Sequence, residues 1–240
     1  MIETLLELDT EVFLLFNGMH HPLLDTFMYC FSSRWVWVPL YMVAFLVIMH
    51  FYGWKAGLIL FVCAVGAVAL SDQTCATLIR PLVARLRPAN PDNPISDLVH
   101  IVNGYRGGRY GFPSCHAANT FAFATIMTLT LPTKRLMVGL YSWALINCYS
   151  RIYLGVHYPG DLAVGALIGI LSGIVFYGIF LMSIQTMLIE KKRTIRINLS
   201  FILPKSYERA NFHIADLMIF TGLLIVLGIL IYSAALYIDL

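Results

Sequence analysis

The chain has 240 residues, of which 59% are hydrophobic and only 12% are charged, and its formal net charge at pH 7 is +3. Soluble domains carry about 25% charged residues, so this composition excludes an ordinary soluble protein and indicates one embedded in a membrane. The small net charge also argues against general nucleic-acid binding. The five cysteines form no Cys-x-x-Cys pair and no metal-ligand spacing. We predict no metal site, no nucleic-acid partner and no obligate protein partner.

The N-terminal stretch is the first predicted element. It begins MIETLLELDT, with acidic residues where a secretory signal peptide carries basic ones, and we expect it to be retained. Acidic and apolar residues alternate at helical spacing over 3–17. That pattern is typical of an amphipathic helix lying in the membrane interface.

The rest of the chain contains about six apolar runs that approach or reach the length needed to cross a bilayer, roughly 20 residues. They cover, roughly, residues 35–53, 56–79, 116–131, 136–156, 160–183 and 213–237. The segment Pro22–Phe31 is ambiguous and can also lengthen the first run. The sequence therefore predicts an all-α fold, a polytopic membrane bundle of about six transmembrane helices with an N-terminal interfacial helix. We expect one integral membrane domain over 1–240, with a motif-bearing core at about 72–170 and an additional C-terminal span at about 213–237.

Positive charges sort the loops onto two sides of the membrane. Lys55, Lys134, Arg135 and the segment 184–212, with six basic residues against two acidic ones, fall on one side. The positive-inside rule makes that side cytoplasmic. The other side nevertheless receives several arginines: Arg80, Arg85, Arg87, Arg106, Arg109 and Arg151. A bound anion explains arginines in this position, so we expect the functional site on the outer face.

Three short polar segments converge on that outer side. They are RPLVARLRP at 80–88, PSCH at 113–116 and SRIYLGVHYPGD at 150–161. Guanidinium groups match phosphate oxygens in bidentate fashion, and a hydroxyl and backbone N–H groups at a helix start add further donors. The predicted phosphate ligands are accordingly Arg80, Arg87, Ser114, Cys115 and Arg151.

The two histidines in these segments have different chemical roles available. His157 and Asp161 are four residues apart, so the carboxylate can hold the imidazole in one tautomer and stabilise the cation formed after attack. Pro159 and Gly160 stand between them, and a helix either spans the pair or begins there. His116, from another span, is suited to protonate a leaving oxygen as general acid. Each residue alone is typical of an unreactive membrane interface, and only their combination indicates a catalytic site.

The three segments together resemble the signature of the type-2 phosphatidic acid phosphatase superfamily, which also includes vanadium-dependent haloperoxidases. That pattern reads Lys-x6-Arg-Pro, Pro-Ser-Gly-His and Ser-Arg-x5-His-x3-Asp. The third segment matches at every fixed position, whereas Arg80 replaces the lysine and Cys115 replaces the glycine. We expect Pro81 to bend the chain beside Arg80, and Cys115 to be strained if its position requires a positive φ.

The resemblance implies a mechanism. His157 attacks phosphorus to form a phosphohistidine, Asp161 assists it, and His116 donates a proton to the leaving group and then serves as base for water. The predicted phosphate ligands hold the oxygens as charge develops. This scheme requires neither a metal nor another cofactor.

The resemblance also implies an integral membrane phosphatase that acts on a lipid phosphate or pyrophosphate, at the outer face of a bacterial cytoplasmic membrane. Undecaprenyl pyrophosphate is the first candidate substrate. Phosphatidylglycerol phosphate, phosphatidic acid and the phosphates of lipid A stay open, as does a lipid phosphotransferase. A haloperoxidase is disfavoured because such enzymes are typically soluble. A non-catalytic lipid-phosphate-binding protein is disfavoured because both histidines are present.

Two further features have alternative explanations. Asp72 interrupts the second span, and it either pairs with an arginine such as Arg80 or faces water. The long loop 89–112 either covers the site or only connects two spans.

Overall fold

A computed structural model describes residues 2–190 and 214–238. The helices are α1 (Ile2–Asn17), α2 (Pro22–Phe31), α3 (Val38–Gln73), α4 (Arg80–Val83), α5 (Cys115–Thr130), α6 (Lys134–Tyr153), α7 (Pro159–Glu190) and α8 (Asp216–Ile238). Within the described ranges there is no β-strand, and extended pairing is limited to a single bridge between Leu86 and Tyr110. The prediction of an all-α fold is confirmed.

The first two predicted apolar runs form one long element, α3, which is broken at Gly53. Gly53 has a φ of 70° and a ψ of 170°, a conformation that is open mainly to glycine. Beyond the break, Gly57 packs closely against Met49, so the two halves of α3 turn back on each other. The boundary predicted between the first two runs therefore coincides with this glycine.

The segment that carries the first motif is wound irregularly. α3 continues into a π-helical turn, Thr74–Ile79, and then into the short α4 before Ala84 adopts a left-handed φ of 48°. Pro81 lies in the first turn of α4, where the missing N–H of proline costs no hydrogen bond. The chain before Pro81 is thus wound as a π-helical turn, and the bend at Pro81 stays a prediction.

A stripe of glycines on α7 holds the other two motif segments together. Gly165 and Gly169 face the carbonyl groups of Ser114 and Ala118, and a Cβ at Gly169 would lie 2.2 Å from the Ala118 oxygen. Small residues at four-residue spacing let helix backbones approach closely in membranes. This contact fixes the start of α5 against the start of α7.

One face of α1 docks on α6 and α7. Phe13 is fully buried, and its ring centroid lies 5.3 Å from that of Tyr158. The Asn17 amide donates to the backbone carbonyls of Ile152 and Tyr153 at 3.1 and 3.0 Å. The other face of α1 carries exposed leucines. The helix is therefore anchored to the bundle next to the third motif.

α2 is a separate helix and does not lengthen the first predicted span. It ends at Phe31, after which Ser33 has an extended backbone with φ −75° and ψ 124°. The 3-10 turn Arg34–Trp37 then leads into α3. Ser32 and Ser33 thus separate the ambiguous segment Pro22–Phe31 from the first predicted span.

Three helical stretches of the described ranges are long and apolar enough to cross a membrane: Arg34–Val83, Pro159–Met187 and Asp216–Ile238. The last of these is α8, which is tied to α6 by an ion pair between Arg135 and Asp216 at 2.8 Å. Most of the predicted basic segment 184–212, and the first residue of the predicted span 213–237, lie outside the described residues.

Candidate active site

The three motif segments meet at one end of the bundle, where they border a cavity of about 1100 Å³. Most of the predicted site residues line it: Arg80, Arg87, Cys115, His116, Arg151 and His157. The other two, Ser114 and Asp161, are fully buried behind this wall. The structure therefore brings together every residue that the sequence assigns to the site.

His157 and Asp161 form a hydrogen-bonded pair. Nδ1 of His157 lies 3.2 Å from Oδ2 of Asp161, and the same oxygen accepts the backbone N–H of Tyr158 at 3.1 Å. α7 begins at Pro159, so the pair spans the start of the helix and is not on one helical face. Because the carboxylate accepts the proton on Nδ1, the lone pair of the imidazole is on Nε2.

Nε2 of His157 faces the guanidinium of Arg87, whose Nη1 lies 3.2 Å away. Burial, followed by the positive charges of Arg87 and Arg151, lowers the pKa of His157 well below its usual value of 6.5. The imidazole is therefore neutral at pH 7. A neutral, oriented imidazole with its lone pair towards the cavity is the form that a nucleophile requires.

Arg87 is held rigidly beside this nitrogen. Its Nε donates to the carbonyl of Tyr110 at 3.1 Å and its Nη1 to that of Val156 at 3.2 Å. Burial, followed by the charges of Arg151 and Arg80, lowers the pKa of Arg87 to about 10. Cations gathered at this density repel one another, and a bound anion relieves the repulsion.

Two other guanidinium groups keep unused donors at the cavity. Arg151 donates to the hydroxyls of Ser32 and Tyr105, the latter at 3.1 Å. In the described part of the chain, Nε of Arg151 and Nε of Arg80 are among the few buried polar side-chain atoms without a hydrogen-bond partner. Buried donors of this kind are normally satisfied, and a phosphate oxygen is a suitable acceptor for both.

The start of α5 contributes His116 and Ser114. His116 lines the cavity, and its ring is hydrogen-bonded to the backbone of Ser32. The hydroxyl of Ser114 caps α5 by accepting the N–H of Ala117 at 3.5 Å, and its own N–H donates to the carbonyl of Asp161 at 3.0 Å. Ser114 thus ties the second motif to the third, and its role as a phosphate ligand stays a prediction.

Gly111 lets the loop before α5 close over the histidine pair. A Cβ at this position would lie 2.9 Å from Oδ2 of Asp161 and 3.4 Å from Nδ1 of His157. The N–H of Gly111 donates to the carbonyl of Arg85 at 2.9 Å. The backbone therefore covers the side of the pair that faces away from the cavity.

Residues 56–185 match the family model of the PAP2 superfamily, which is more than half of the chain. The chain belongs to the PAP2 superfamily. This membership confirms the resemblance to the type-2 phosphatidic acid phosphatases. The protein is an enzyme, a phosphoric ester hydrolase, and a membrane lipid phosphatase of this superfamily.

Relatives of known activity extend the match beyond that region. The chain is 43% identical to a lipid A 4'-phosphatase of Bacteroides thetaiotaomicron, over 97% of this chain and 98% of the relative. It is 38% identical to a lipid A 4'-phosphatase of Porphyromonas gingivalis, over 75% and 76% of the two chains. An undecaprenyl-diphosphatase of Sulfolobus acidocaldarius is 29% identical over 67% of this chain and 73% of the relative. The crystal structure of Aquifex aeolicus LpxE superposes with a TM-score of 0.55 at 29% identity, covering 70% of this chain and 94% of that one.

The two departures from the PAP2 pattern contact each other. Nη2 of Arg80 donates to Sγ of Cys115 at 3.0 Å and to the carbonyl of Pro113 at 2.9 Å. Cys115 begins α5 and is not among the described residues with positive φ, so the strain considered for this position is absent. Sequence reasoning treats the two substitutions separately, whereas the structure joins them.

Two residues that contact the catalytic groups, Arg85 and Asp9, have no role assigned from sequence. Nη1 of Arg85 lies 3.1 Å from Oδ1 of Asp161 and 2.7 Å from Oδ2 of Asp9 on α1. Arg85 lies within the first motif segment at 80–88 and is recognisable from sequence as one more outer-side arginine. Asp9 lies 151 residues before its backbone partner Gly160, and nothing in the sequence predicts that contact.

The structure gives contacts for both features that were left with alternatives. Asp72 accepts a hydrogen bond from Asn119 at 2.9 Å, and no arginine of the described ranges forms an ion pair with it, so the first alternative, pairing with an arginine, is not made. The loop 89–112 does reach the site. Tyr105 from this loop lines the cavity and contacts Arg151.

Proposed function

We propose that this protein removes the 4'-phosphate from lipid A. The observation that supports this most directly is the likeness to the Bacteroides thetaiotaomicron lipid A 4'-phosphatase, which runs through 97% of the chain at 43% identity. It includes α1, α2 and α8, which lie outside the region 56–185 common to the superfamily. Lipid A is thus preferred here to undecaprenyl pyrophosphate, the first candidate from sequence.

The reaction uses the groups that line the cavity. Nε2 of His157 bonds to phosphorus as the bond from phosphorus to the lipid oxygen breaks, and His116 gives that oxygen its proton. Asp161, 3.2 Å from Nδ1, stabilises the positive charge on the imidazole. Water then attacks phosphorus and gives a proton to His116 as the bond from phosphorus to Nε2 of His157 breaks, which releases inorganic phosphate and restores both histidines.

The arginines of the cavity hold the phosphate oxygens during both steps. The free Nε atoms of Arg80 and Arg151, together with Nη1 of Arg87 beside His157, point to a cation cluster suited to the charge of the transition state. Ser114 and the backbone N–H of Cys115, at the start of α5, add the positive end of a helix.

A lipid substrate fits the form of the cavity. Its wall continues from the histidines to Trp35, Phe61 and Val65, which are exposed apolar side chains. A phosphorylated head group can therefore occupy the polar end while the hydrocarbon chains stay among apolar groups. The volume of about 1100 Å³ is far larger than a phosphate needs, which also favours a substrate with a large head group.

The arrangement of the chain in the membrane is part of the same proposal. About six helices cross a bacterial cytoplasmic membrane, α1 lies in its interface, and 1–240 forms one domain with a phosphatase core at about 72–170. Cys115 at the start of α5 and Arg151 in the last turn of α6 line the site. Lys134 and Arg135, at the other end of α6, face the cytoplasm by the positive-inside rule. The site therefore faces the exterior.

Phosphate release by the purified protein in detergent with EDTA tests this function. We expect release from lipid A that carries a 4'-phosphate, and none from lipid A that carries only a 1-phosphate. Loss of release in His157→Ala assigns the activity to this site. Equal release by wild type and His157→Ala contradicts the mechanism.

Undecaprenyl pyrophosphate is the second candidate, supported by the likeness to the Sulfolobus acidocaldarius undecaprenyl-diphosphatase over 67% of the chain. The same assay with undecaprenyl pyrophosphate, phosphatidylglycerol phosphate and phosphatidic acid compares the candidates by kcat/KM. A higher kcat/KM for undecaprenyl pyrophosphate than for lipid A replaces the first proposal. Transfer of phosphate to an added lipid acceptor without release of free phosphate identifies a phosphotransferase.

A further inference from the structure

We infer that Asp9 and Arg85 are positioning residues for the His157–Asp161 pair, an inference that rests on the proposed role of His157 as nucleophile. A single nitrogen, Nη1 of Arg85, lies 2.7 Å from Oδ2 of Asp9 and 3.1 Å from Oδ1 of Asp161. A continuous series of contacts therefore links α1 to the imidazole of His157, through the carboxylate of Asp9, the guanidinium of Arg85 and the carboxylate of Asp161.

Arg85 acts through Asp161 and not on the substrate. It is absent from the residues that line the cavity, unlike the arginines at 80, 87 and 151. Its guanidinium carbon lies 3.8 Å from the ring centroid of Tyr158, and only 18% of its side chain is exposed. Stacking on one side and carboxylates on the other hold the guanidinium on the far side of the histidine pair.

The buried carboxylate of Asp161 needs this cation. Its side chain has no solvent exposure, and a carboxylate without a partner in such surroundings is costly to keep ionised. Oδ2 accepts from Tyr158 N–H and faces Nδ1 of His157, whereas Oδ1 faces Arg85. Arg85 thus keeps the carboxylate charged and turned so that Oδ2 stays on the imidazole.

Asp9 fixes Arg85 and the start of α7 at the same time. Oδ2 pairs with Arg85, and Oδ1 accepts the backbone N–H of Gly160 at 2.7 Å. Gly160 directly precedes Asp161, and a Cβ there would lie 2.9 Å from Oδ2 of Asp9, so α1 touches the backbone that carries the carboxylate paired with His157. An aspartate at a helix start is stabilised by the helix dipole.

Through Asp9, α1 thus takes part in positioning the catalytic pair, although this helix lies outside the superfamily match at 56–185. The acidic residues of α1 are then not equivalent. Asp9 is only 14% exposed and makes the contacts above, whereas Glu7 and Glu11 on the same helix are exposed. Glu11→Gln is therefore a matched control for Asp9→Asn, because both remove one negative charge from α1.

Steady-state kinetics on the detergent-solubilised protein, with the lipid phosphate that wild type hydrolyses fastest, provide the first test. We expect Asp9→Asn to lower kcat about tenfold and Arg85→Gln about a hundredfold, with KM changed less than about twofold. The phosphate ligands are untouched, so only the step that needs an oriented imidazole slows. Asp9→Glu retains the carboxylate and recovers most of the activity, and Glu11→Gln matches wild type.

A double-mutant cycle separates positioning from general stability. When Asp161→Ala has already removed the acceptor of Arg85, Asp9→Asn is expected to change the residual kcat by less than about twofold. The same tenfold loss in that background, or a rise in KM that accounts for the loss in kcat/KM, overturns the inference. Wild-type kcat in both Asp9→Asn and Arg85→Gln overturns it as well.

A measurement without turnover makes the inference independent of the substrate. In protein with ¹⁵N-labelled histidine, the ring signals of His157 are assigned by their loss in His157→Gln. We expect Asp9→Asn and Arg85→Gln to shift the Nδ1 signal, and Glu11→Gln to leave it in place. An unshifted signal in both variants contradicts the inference. Shifted signals in a protein that releases phosphate from no lipid contradict the proposed function and leave the positioning role supported.

Discussion

The neutral imidazole of His157 lies beside arginines and lines the cavity, and its Nδ1 faces the carboxylate of Asp161. Because Nδ1 is engaged by Asp161 at 3.2 Å, the side chain has one direction in which to react. We expect His157→Gln to reduce turnover to background, since glutamine fits the space but cannot form the phosphorus–nitrogen bond. Size-exclusion profiles and helical circular dichroism equal to wild type are the control for folding.

The protonation state of His157 gives a second prediction about a single residue. Burial and the charges of Arg87 and Arg151 lower its pKa well below 6.5, so the neutral form persists as the pH falls through that value. We expect the ¹⁵N ring signals of His157 to stay constant between pH 7.5 and pH 6. A midpoint near 6.5 for His157 would show that the arginines do not act on it.

Arg80 and Cys115 make a third residue-scale prediction. Nη2 of Arg80 donates to both Sγ of Cys115 and the carbonyl of Pro113. A lysine has a compact ammonium in place of the planar guanidinium. We expect Arg80→Lys to lower kcat/KM by at least about tenfold, or about 1.4 kcal/mol. Adding Cys115→Gly, which restores the superfamily pair, is expected to recover activity to within about threefold.

Equal kcat/KM for Arg80→Lys and wild type contradicts this coupling, and so does an additive loss in the double variant. That the three motif segments meet at one cavity was predictable from sequence, because their residue types, order and spacing match a family pattern. The contact between Arg80 and Cys115 was not, because it depends on how the π-helical turn Thr74–Ile79 aims Arg80.

At the scale of elements, the packing of α5 on α7 decides whether the motifs meet. We expect Gly169→Val to abolish activity and to lower the thermal midpoint in detergent, because even a Cβ would lie 2.2 Å from the carbonyl oxygen of Ala118. Gly178→Val on the same helix is the control, since a Cβ there meets nothing within 4 Å. Similar losses in both variants point to a general effect of valine on α7.

The length of the apolar runs predicted where most of the helices lie, but not which helices pack against each other. The break at Gly53 follows from a glycine between two apolar runs, and the start of α7 at Pro159 follows from the proline. The docking of α1 through Phe13 and Asn17 has no local signature, because its partners come from α6 and the turn that follows it.

For the whole molecule, the arginine cavity makes folding and anion binding interdependent. A ligand that binds only the folded form stabilises it by about 2.7 kcal/mol at a concentration 100 times its Kd. We expect orthovanadate, a phosphate-like oxyanion, to raise the thermal midpoint in detergent, and Arg151→Ala to remove most of that rise. Sodium chloride at matched ionic strength is the control. An equal rise in wild type and Arg151→Ala contradicts binding at this site.

The cavity wall extends to the exposed apolar residues Trp35, Phe61 and Val65. For this reason the reaction rate depends on the substrate concentration within the membrane and not on its concentration in the surrounding water. A molecule that arrives through this wall comes from a two-dimensional pool, so its encounter rate depends on its share of the leaflet and not on its amount per volume of water. Dilution with inert lipid at constant total substrate then slows the reaction, whereas adding buffer does not. The enzyme therefore responds to the composition of the membrane surface around it.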